Sequence, residues 1–340
     1  MNYWWLIPAL TGFSFFLTAA LRRYALSRKM LDIPNGRSSH SIPTPRGGGV
    51  AIVLSYIVAL VCMYAGGLIP ATLFYALTGA GMLTAVVGFL DDHGHIAARW
   101  RLLAHFASAI WAVVWFGGLP AISLYGFNID IRWVGYVFAV VYLVWMLNLY
   151  NFMDGIDGIA GVEAMTVCLC GCLLYWVHGT PAQGWSLVAL ASCVAGFLIW
   201  NFPPAKIFMG DAGSGFLGMA LGVLSLQATW ISPTFFWAWL ILLGVFIVDA
   251  TFTLIRRLVR GDKVYEAHRS HAYQFASRRL GAHLPVALAV GAINILWLLP
   301  AALCLLIYDL DGATVLTVAY VPLVLLAIKF RAGGLERSIA

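Results

Sequence analysis

An all-α, polytopic membrane protein is what this 340-residue chain predicts, on three observations. Hydrophobic residues make up 62% of it, charged residues only 10%, and apolar runs of bilayer length recur along its whole extent. Mean hydropathy is +0.89. A water-soluble fold lacks the interior to hide that much apolar side chain, because surface shrinks too slowly with size. A cytoplasmic enzyme, a secreted disulfide scaffold and a disordered chain are therefore excluded. The six Cys all lie inside apolar runs and read as small buried hydrophobes.

A span needs about 20 mostly apolar residues. That ruler gives about eleven transmembrane helices, at about 3–21, 48–65, 69–90, 102–118, 133–150, 159–177, 185–202, 213–230, 234–255, 284–307 and 313–330. The breaks between them hold turn formers, such as GGLIP at 66–70 and HGTPAQG at 178–184. The first apolar run is followed, not preceded, by its basic cluster, so it reads as an anchor rather than a cleaved leader. The chain forms one multi-span domain, 1–340, without an internal repeat.

Lys and Arg decide orientation. Nineteen of the twenty fall in 22–47, 91–101, 203–212, 256–283 and the C-terminus; Arg132 alone falls on the other side. The positive-inside rule makes the first set cytoplasmic, together with the short 151–158 loop, and so places the N-terminus in the periplasm and the C-terminus in the cytoplasm. The net charge of +6 is then a record of topology, and no nucleic-acid partner is expected.

Ionisable residues near membrane depth are the candidates for function. Six Asp gather at cytoplasmic helix ends: Asp91, Asp92, Asp154, Asp157, Asp211 and Asp249, the last read as the acid inside a span. Asp91 and Asp92 close the third span in FLDDHGH, where acids oppose the helix dipole and call for a cation. In NLYNFMDGIDGIAG, Asp154 and Asp157 stand three apart, on one face if helical, each followed by Gly, with Asn151 just upstream. In IFMGDAGS, Asp211 lies between Gly210 and Gly213 and offers the hard carboxylate oxygen that Mg²⁺ takes alongside substrate phosphates. Cations come from the 256–274 stretch, where His268 and His271 flank Arg269, and from NGRSSHSIPTPRGGG, where His40, Arg46 and a Gly triplet offer a phosphate cradle. Carboxylates, basic loops and Gly-rich turns on one membrane face form an inventory for gripping a diphosphate through Mg²⁺ and moving a phosphoryl group to a lipid. The competing class, a transporter or flippase for an anionic lipid, would place its acids near the bilayer midplane and not at one face.

Five segments, RSSHSIPTPRGGG, FLDDHG, NFMDGIDGIAG, IFMGDAGS and HRSHAYQ, occur in an order that resembles the polyprenyl-phosphate N-acetylhexosamine-1-phosphate transferases. The resemblance implies a bacterial inner-membrane enzyme with a cytoplasmic active site. Its substrates would be a UDP-N-acetylhexosamine and undecaprenyl phosphate, its products undecaprenyl-diphospho-sugar and UMP. It implies Mg²⁺ as cofactor, with Mn²⁺ as a substitute, and is compatible with a homodimer. By matching positions, Asp91 and Asp92 stand near the acceptor phosphate and Asp211 is the principal metal ligand, with Asp92 beside it. Asn151, Asp154 and Asp157 help to hold nucleotide and metal. Asn201 and Lys206 lie where the nucleotide is contacted, and His268, Arg269 and His271 meet the diphosphate or sugar. The peptidoglycan branch carries three consecutive His in the last loop; HRSH here departs from that. The departure turns the expectation to UDP-GlcNAc or UDP-FucNAc and to O-antigen or related surface-polysaccharide initiation.

Overall fold

The computed structural model describes residues 3–34, 42–94, 96–263 and 268–335. Fourteen α-helices occur among them: α1 Leu6–Ser27, α2 Val50–Ala65, α3 Ala71–His93, α4 Ala98–Phe116, α5 Val134–Met153, α6 Ile159–Val177, α7 Trp185–Asn201, α8 Asp211–Ile231, α9 Thr234–Leu242, α10 Gly244–Val259, α11 Ala272–Leu280, α12 Leu284–Ile293, α13 Leu299–Ile307 and α14 Gly312–Lys329. Strand is confined to two small antiparallel hairpins. One pairs β1 (Leu31–Asp32) with β2 (Thr44–Pro45), the other β3 (Ile122–Leu124) with β4 (Phe127–Ile129). Among the described residues seven helical segments are long and apolar enough to cross a membrane, or eight when α9 and α10 count as one. The eleven expected spans include also α2, at 16 residues, and α1 and α4, whose ends carry Arg22 and Arg23, and Arg99 and Arg101.

The bundle is organised around α8, every residue of which is buried from Ala212 to Thr229. A helix apolar on all sides can only be a core helix. It packs against α3 and α5, with α2 and α9 completing its jacket. Close packing at its N-terminus depends on absent side chains: a Cβ on Gly49 would lie 2.5 Å from Gly213 Cα, and one on Gly88 would lie 2.6 Å from the Asp211 carbonyl oxygen.

Three local expectations are corrected. The span expected at 234–255 is bent by 73° between α9 and α10. Gly244 opens α10 there, and the Tyr320 ring of α14 fills the space its side chain would need. The loop expected at 256–283 contains the nine-residue helix α11. Asp249 is not the one acid inside a span: Glu163 lies fully buried in α6, its Oε2 accepting from Asn294 Nδ2 at 2.7 Å. Asn294 belongs to a π-helical segment, Asn294–Leu298, that joins α12 to α13 into one 24-residue span.

Candidate active site

At one end of the bundle α3, α4, α5 and α8 part around a cleft of about 420 Å³, whose walls include Asp91, Arg101, His105, Asn148, Asn151, Phe152 and Asp211. Each helix delivers its polar residues only in its last or first turns. The flanking segments are apolar, so the chemistry gathers where the hydrocarbon ends.

The paired acids of α3 have separate jobs. Asp91 forms an ion pair with Arg101 of α4 and accepts from the Ile96 backbone N–H at 2.9 Å. Asp92, only 6% exposed, turns the other way: its two oxygens lie 3.3 and 3.4 Å from the backbone N–H groups of Asp211 and Ala212. It thereby satisfies the free donors at the N-terminus of α8 from a neighbouring helix. Arg101 also reaches Asp211, at 3.7 Å, so one guanidinium spans both acids of the cleft. This cation is the answer to the dipole conflict that two acids at a helix C-terminus pose.

Asp154 and Asp157 do not share a helix face, because residues 154–158 form the loop between α5 and α6. Asp154 is half-buried in that loop. Burial first, and then the charges of Asp211, Asp92 and Asp157, push its carboxyl up to about 7. Asp157 is a strut: its Oδ2 accepts from the Ala205 N–H at 3.0 Å and its Oδ1 lies 3.2 Å from His283 Nδ1. Asn201, 3% exposed, spends its side-chain amide on the frame, accepting from the Gly158 N–H at 3.1 Å and donating to the Ile207 carbonyl at 2.9 Å. Gly158 has the positive φ, +75°, that its place in this turn requires. At Gly155 the constraint is different, since a Cβ would meet the Tyr273 hydroxyl at 2.2 Å.

That hydroxyl ties the histidine segment to the cleft by donating to the Phe152 carbonyl at 3.0 Å. His271, 1% exposed, stacks on Phe152, His268 and Tyr273, with its Nδ1 3.4 Å from Asp249 Oδ1. Asp249 accepts from the Ala272 and Tyr273 N–H groups at 2.8 and 3.0 Å, so the intramembrane acid caps α11 from α10. His268 accepts from the Ser270 N–H and lies 3.0 Å from its hydroxyl. Burial, then His271 and Arg257, push its imidazole down to about 3, so it is neutral at physiological pH. Arg269 is half-buried beside it, and its carbonyl accepts from Arg278.

The Gly triplet is not an open phosphate cradle. The Gly48 and Gly49 N–H groups donate to the Phe208 and Met209 carbonyls at 2.9 and 2.8 Å, and Arg46 donates to the Asp92 carbonyl. Lys206 lies exposed with its ammonium 5.5 Å from the centre of the Trp200 ring. His40 falls outside the described residues. Three residues of the site escape a linear reading: Arg101 and His105, which carry no motif, and Asn148, which opens NLYNFMDGIDGIAG without being singled out in it. The signal for the first two is their i, i+4 spacing at the start of α4, which sets both on one face. Of the acids, Asp211 and Asp154 are the carboxylates left to a cation, with Asn151 as a neutral oxygen donor. Among the described residues no three acidic, His or Cys groups converge on a common ion position.

Residues 73–229, which run from α3 through α8 and hold most of this cleft, match glycosyl transferase family 4. The chain is 29% identical over 271 residues to the probable undecaprenyl-phosphate N-acetylglucosaminyl 1-phosphate transferase of Bacillus subtilis, covering 76% of this chain and 72% of that one. It is likewise 29% identical over 268 residues to the undecaprenyl-phosphate alpha-N-acetylglucosaminyl 1-phosphate transferase of Thermotoga maritima, with 79% and 80% covered. A phospho-N-acetylmuramoyl-pentapeptide-transferase of Chlamydia muridarum is 29% identical over a shorter 209 residues, 53% of this chain and 59% of that one. An acid-rich cleft closing an apolar bundle, inside the segment that matches, is what this chain shares with glycosyl transferase family 4, and its similarity extends to the polyprenyl-phosphate sugar-1-phosphate transferases.

Proposed function

We propose that the protein transfers N-acetylglucosamine 1-phosphate from UDP-N-acetylglucosamine to undecaprenyl phosphate, at the cytoplasmic face of a bacterial inner membrane. The observation that carries this reading is the cleft itself, where Asp91, Asp211 and Asn151 meet Arg101 at the ends of apolar helices. A reaction between a water-soluble sugar nucleotide and a lipid phosphate has to occur where the hydrocarbon ends. A non-bridging oxygen of the acceptor phosphate attacks the β-phosphorus of the donor; the bond to the bridging oxygen breaks, and UMP leaves with that oxygen. A phosphate monoester has its second pKa near 6, so the acceptor is mostly dianionic at neutral pH and needs little help from a base. The chain's task is to bring two anions together. Arg101 neutralises part of their charge, Asn151 and Asn148 offer neutral donors, and Asp91 is held by Arg101 where it orients the acceptor or takes its last proton.

Magnesium fits the donor set. Two hard carboxylates, Asp211 and Asp154, stand where negative charge is only partly offset, and this ion commonly takes one or two carboxylates and completes its shell with water and substrate phosphates. When bound it would supply Lewis-acid neutralisation of the diphosphate. The HRSH segment supports initiation of O-antigen or a related surface polysaccharide on the lipid acceptor, with UDP-FucNAc as the alternative donor.

The test is UMP release by purified protein with undecaprenyl phosphate, Mg²⁺ and a panel of UDP-N-acetylhexosamines, with EDTA as control. UMP from UDP-GlcNAc that stops on chelation is the expected result. Folded protein that releases no UMP from any donor would overturn the proposal.

A further inference from the structure

A second cavity lies beside α11. It is larger, about 780 Å³ counted with its open side, and is lined by the first half of α10, by α11, by α12 along its length and by the last turns of α14. Its walls are Val, Ala, Leu, Ile, Pro and Phe side chains, with Tyr273 and Asp249 at the inner end. The oxygens of Asp249 are engaged by the N-terminus of α11. The cavity shares no lining residue with the carboxylate cleft. At its mouth stand Leu280 and Phe330, and the residues next to them in sequence are Arg279, Lys329 and Arg331, all exposed. An apolar slot between helices with a basic rim at one end has the two chemistries of an anionic phospholipid, acyl chain inside and headgroup phosphate on the rim.

We propose that this cavity is a binding site for an anionic bilayer phospholipid, distinct from the site of the lipid acceptor. The separation of the two cavities argues for a resident lipid rather than for the acceptor's own tail. The slot and the cleft share no lining residue, so a phosphate seated on Arg279, Lys329 and Arg331 sits outside the carboxylate cleft. The occupant has a mechanical consequence, because α11 lines the slot and reaches the edge of the cleft through Tyr273. Ala272, Tyr273 and Ala276 face the slot, and the same Tyr273 donates to the Phe152 carbonyl, whose residue lines the cleft. A filled slot supports α11 from behind and keeps Tyr273 against Phe152, which couples bilayer composition to the geometry of the cleft.

The experiment is native mass spectrometry of the full-length protein in detergent, titrated with phosphatidylglycerol or with phosphatidylcholine of the same chains. The wild type is expected to bind the anionic lipid at least tenfold more tightly. Each Lys or Arg near an anionic headgroup contributes on the order of fivefold, so the triple variant Arg279→Gln, Lys329→Gln, Arg331→Gln should lose about 100-fold for phosphatidylglycerol and little for phosphatidylcholine. Ala289 lines the slot and is exposed, so Ala289→Trp fills it without crowding the core, and should abolish retention of either lipid. Equal binding of the two lipids by the wild type would overturn the proposal, as would undiminished phosphatidylglycerol binding by either variant. Competitive displacement of bound phosphatidylglycerol by undecaprenyl phosphate would also overturn it, and would assign the slot to the acceptor. Because the readout is lipid retention, it stands or falls independently of transferase activity.

Discussion

Gly88→Ala tests the packing that places Asp211. The residue lies in α3 about one turn before the paired acids, and by local preference the change should help, since Ala is favoured over Gly in a helix interior by about 1 kcal/mol. The tertiary structure predicts the opposite. An added Cβ would stand 2.6 Å from the Asp211 carbonyl carbon and oxygen and from the Ala212 nitrogen. All three are backbone atoms, so no rotamer change relieves the clash. To restore an ordinary contact of about 3.4 Å, the start of α8 must retreat from α3 by about 0.8 Å. Overpacking of this kind costs about 1–3 kcal/mol, which cancels or exceeds the helix gain. The larger effect falls on function. The bonds from Asp92 to the Asp211 and Ala212 N–H groups, already 3.3 and 3.4 Å long, are lost, and Asp211 moves with the backbone. A misplacement near 1 Å can reduce turnover by about 100-fold. The assay is UMP release at saturating substrates, with thermal unfolding of the same detergent sample to show that the protein is folded. Gly12→Ala in α1 is the control, because nothing lies within 4 Å of its added Cβ. Gly88→Ala turnover within twofold of wild type would refute the argument that close approach of α3 and α8 sets the cleft.

Other substitutions probe the remaining parts of the site. Arg101→Met removes the cation shared by Asp91 and Asp211 and should lower turnover by at least tenfold, with partial recovery in Arg101→Lys; equal activity of Met and Lys variants would show that charge at this position does not matter. Asp249→Asn replaces an acceptor of two backbone N–H groups by a side chain with only one accepting atom, costing about 1–2 kcal/mol. The expected signs are a lower melting temperature and weaker turnover, although Asp249 lines no part of the cleft. Asp154 has a pH signature of defined sign. Its folded pKa of about 7 lies above the ordinary carboxylate value, so its contribution to stability is present at acidic pH and is lost as pH rises from about 4 through 7. In protein stripped of divalent ions, Asp154→Asn should therefore melt a few degrees above wild type at pH 8, with the difference shrinking toward pH 5, while transfer activity is lost. An unchanged melting difference across that range would remove the electrostatic account of this residue.

Most of the helical layout was legible from residue order, because hydropathy and charge segregation are local quantities and the bilayer demands them of each span separately. The acid-rich end was legible for the same reason: Asp91, Asp92, Asp154 and Asp211 all interrupt apolar runs. Some expectations failed where local reading meets a long-range partner. Gly47–Gly49 looks like a phosphate loop, but the N–H groups of Gly48 and Gly49 are matched by Phe208 and Met209, some 160 residues away. Asp154 and Asp157 have helical spacing, yet α5 ends before them at Met153, and the chain turns just after them at Gly158, pinned by Asn201. Glu163, a single acid in an apolar run, carries no motif, and its Asn294 partner lies 131 residues on.

Sequence by itself determined that this is an apolar helical bundle with a cluster of Asp residues at one end, since the transfer of side chains between water and hydrocarbon depends on their identity alone. Only the tertiary structure decided which carboxylate is bound to a frame and which faces the cleft. Asp92 caps α8, Asp157 braces a loop, Asp249 caps α11, and Asp91 and Asp211 share Arg101. A carboxylate's role is set by the donor that reaches it, and in this fold those donors come from other helices.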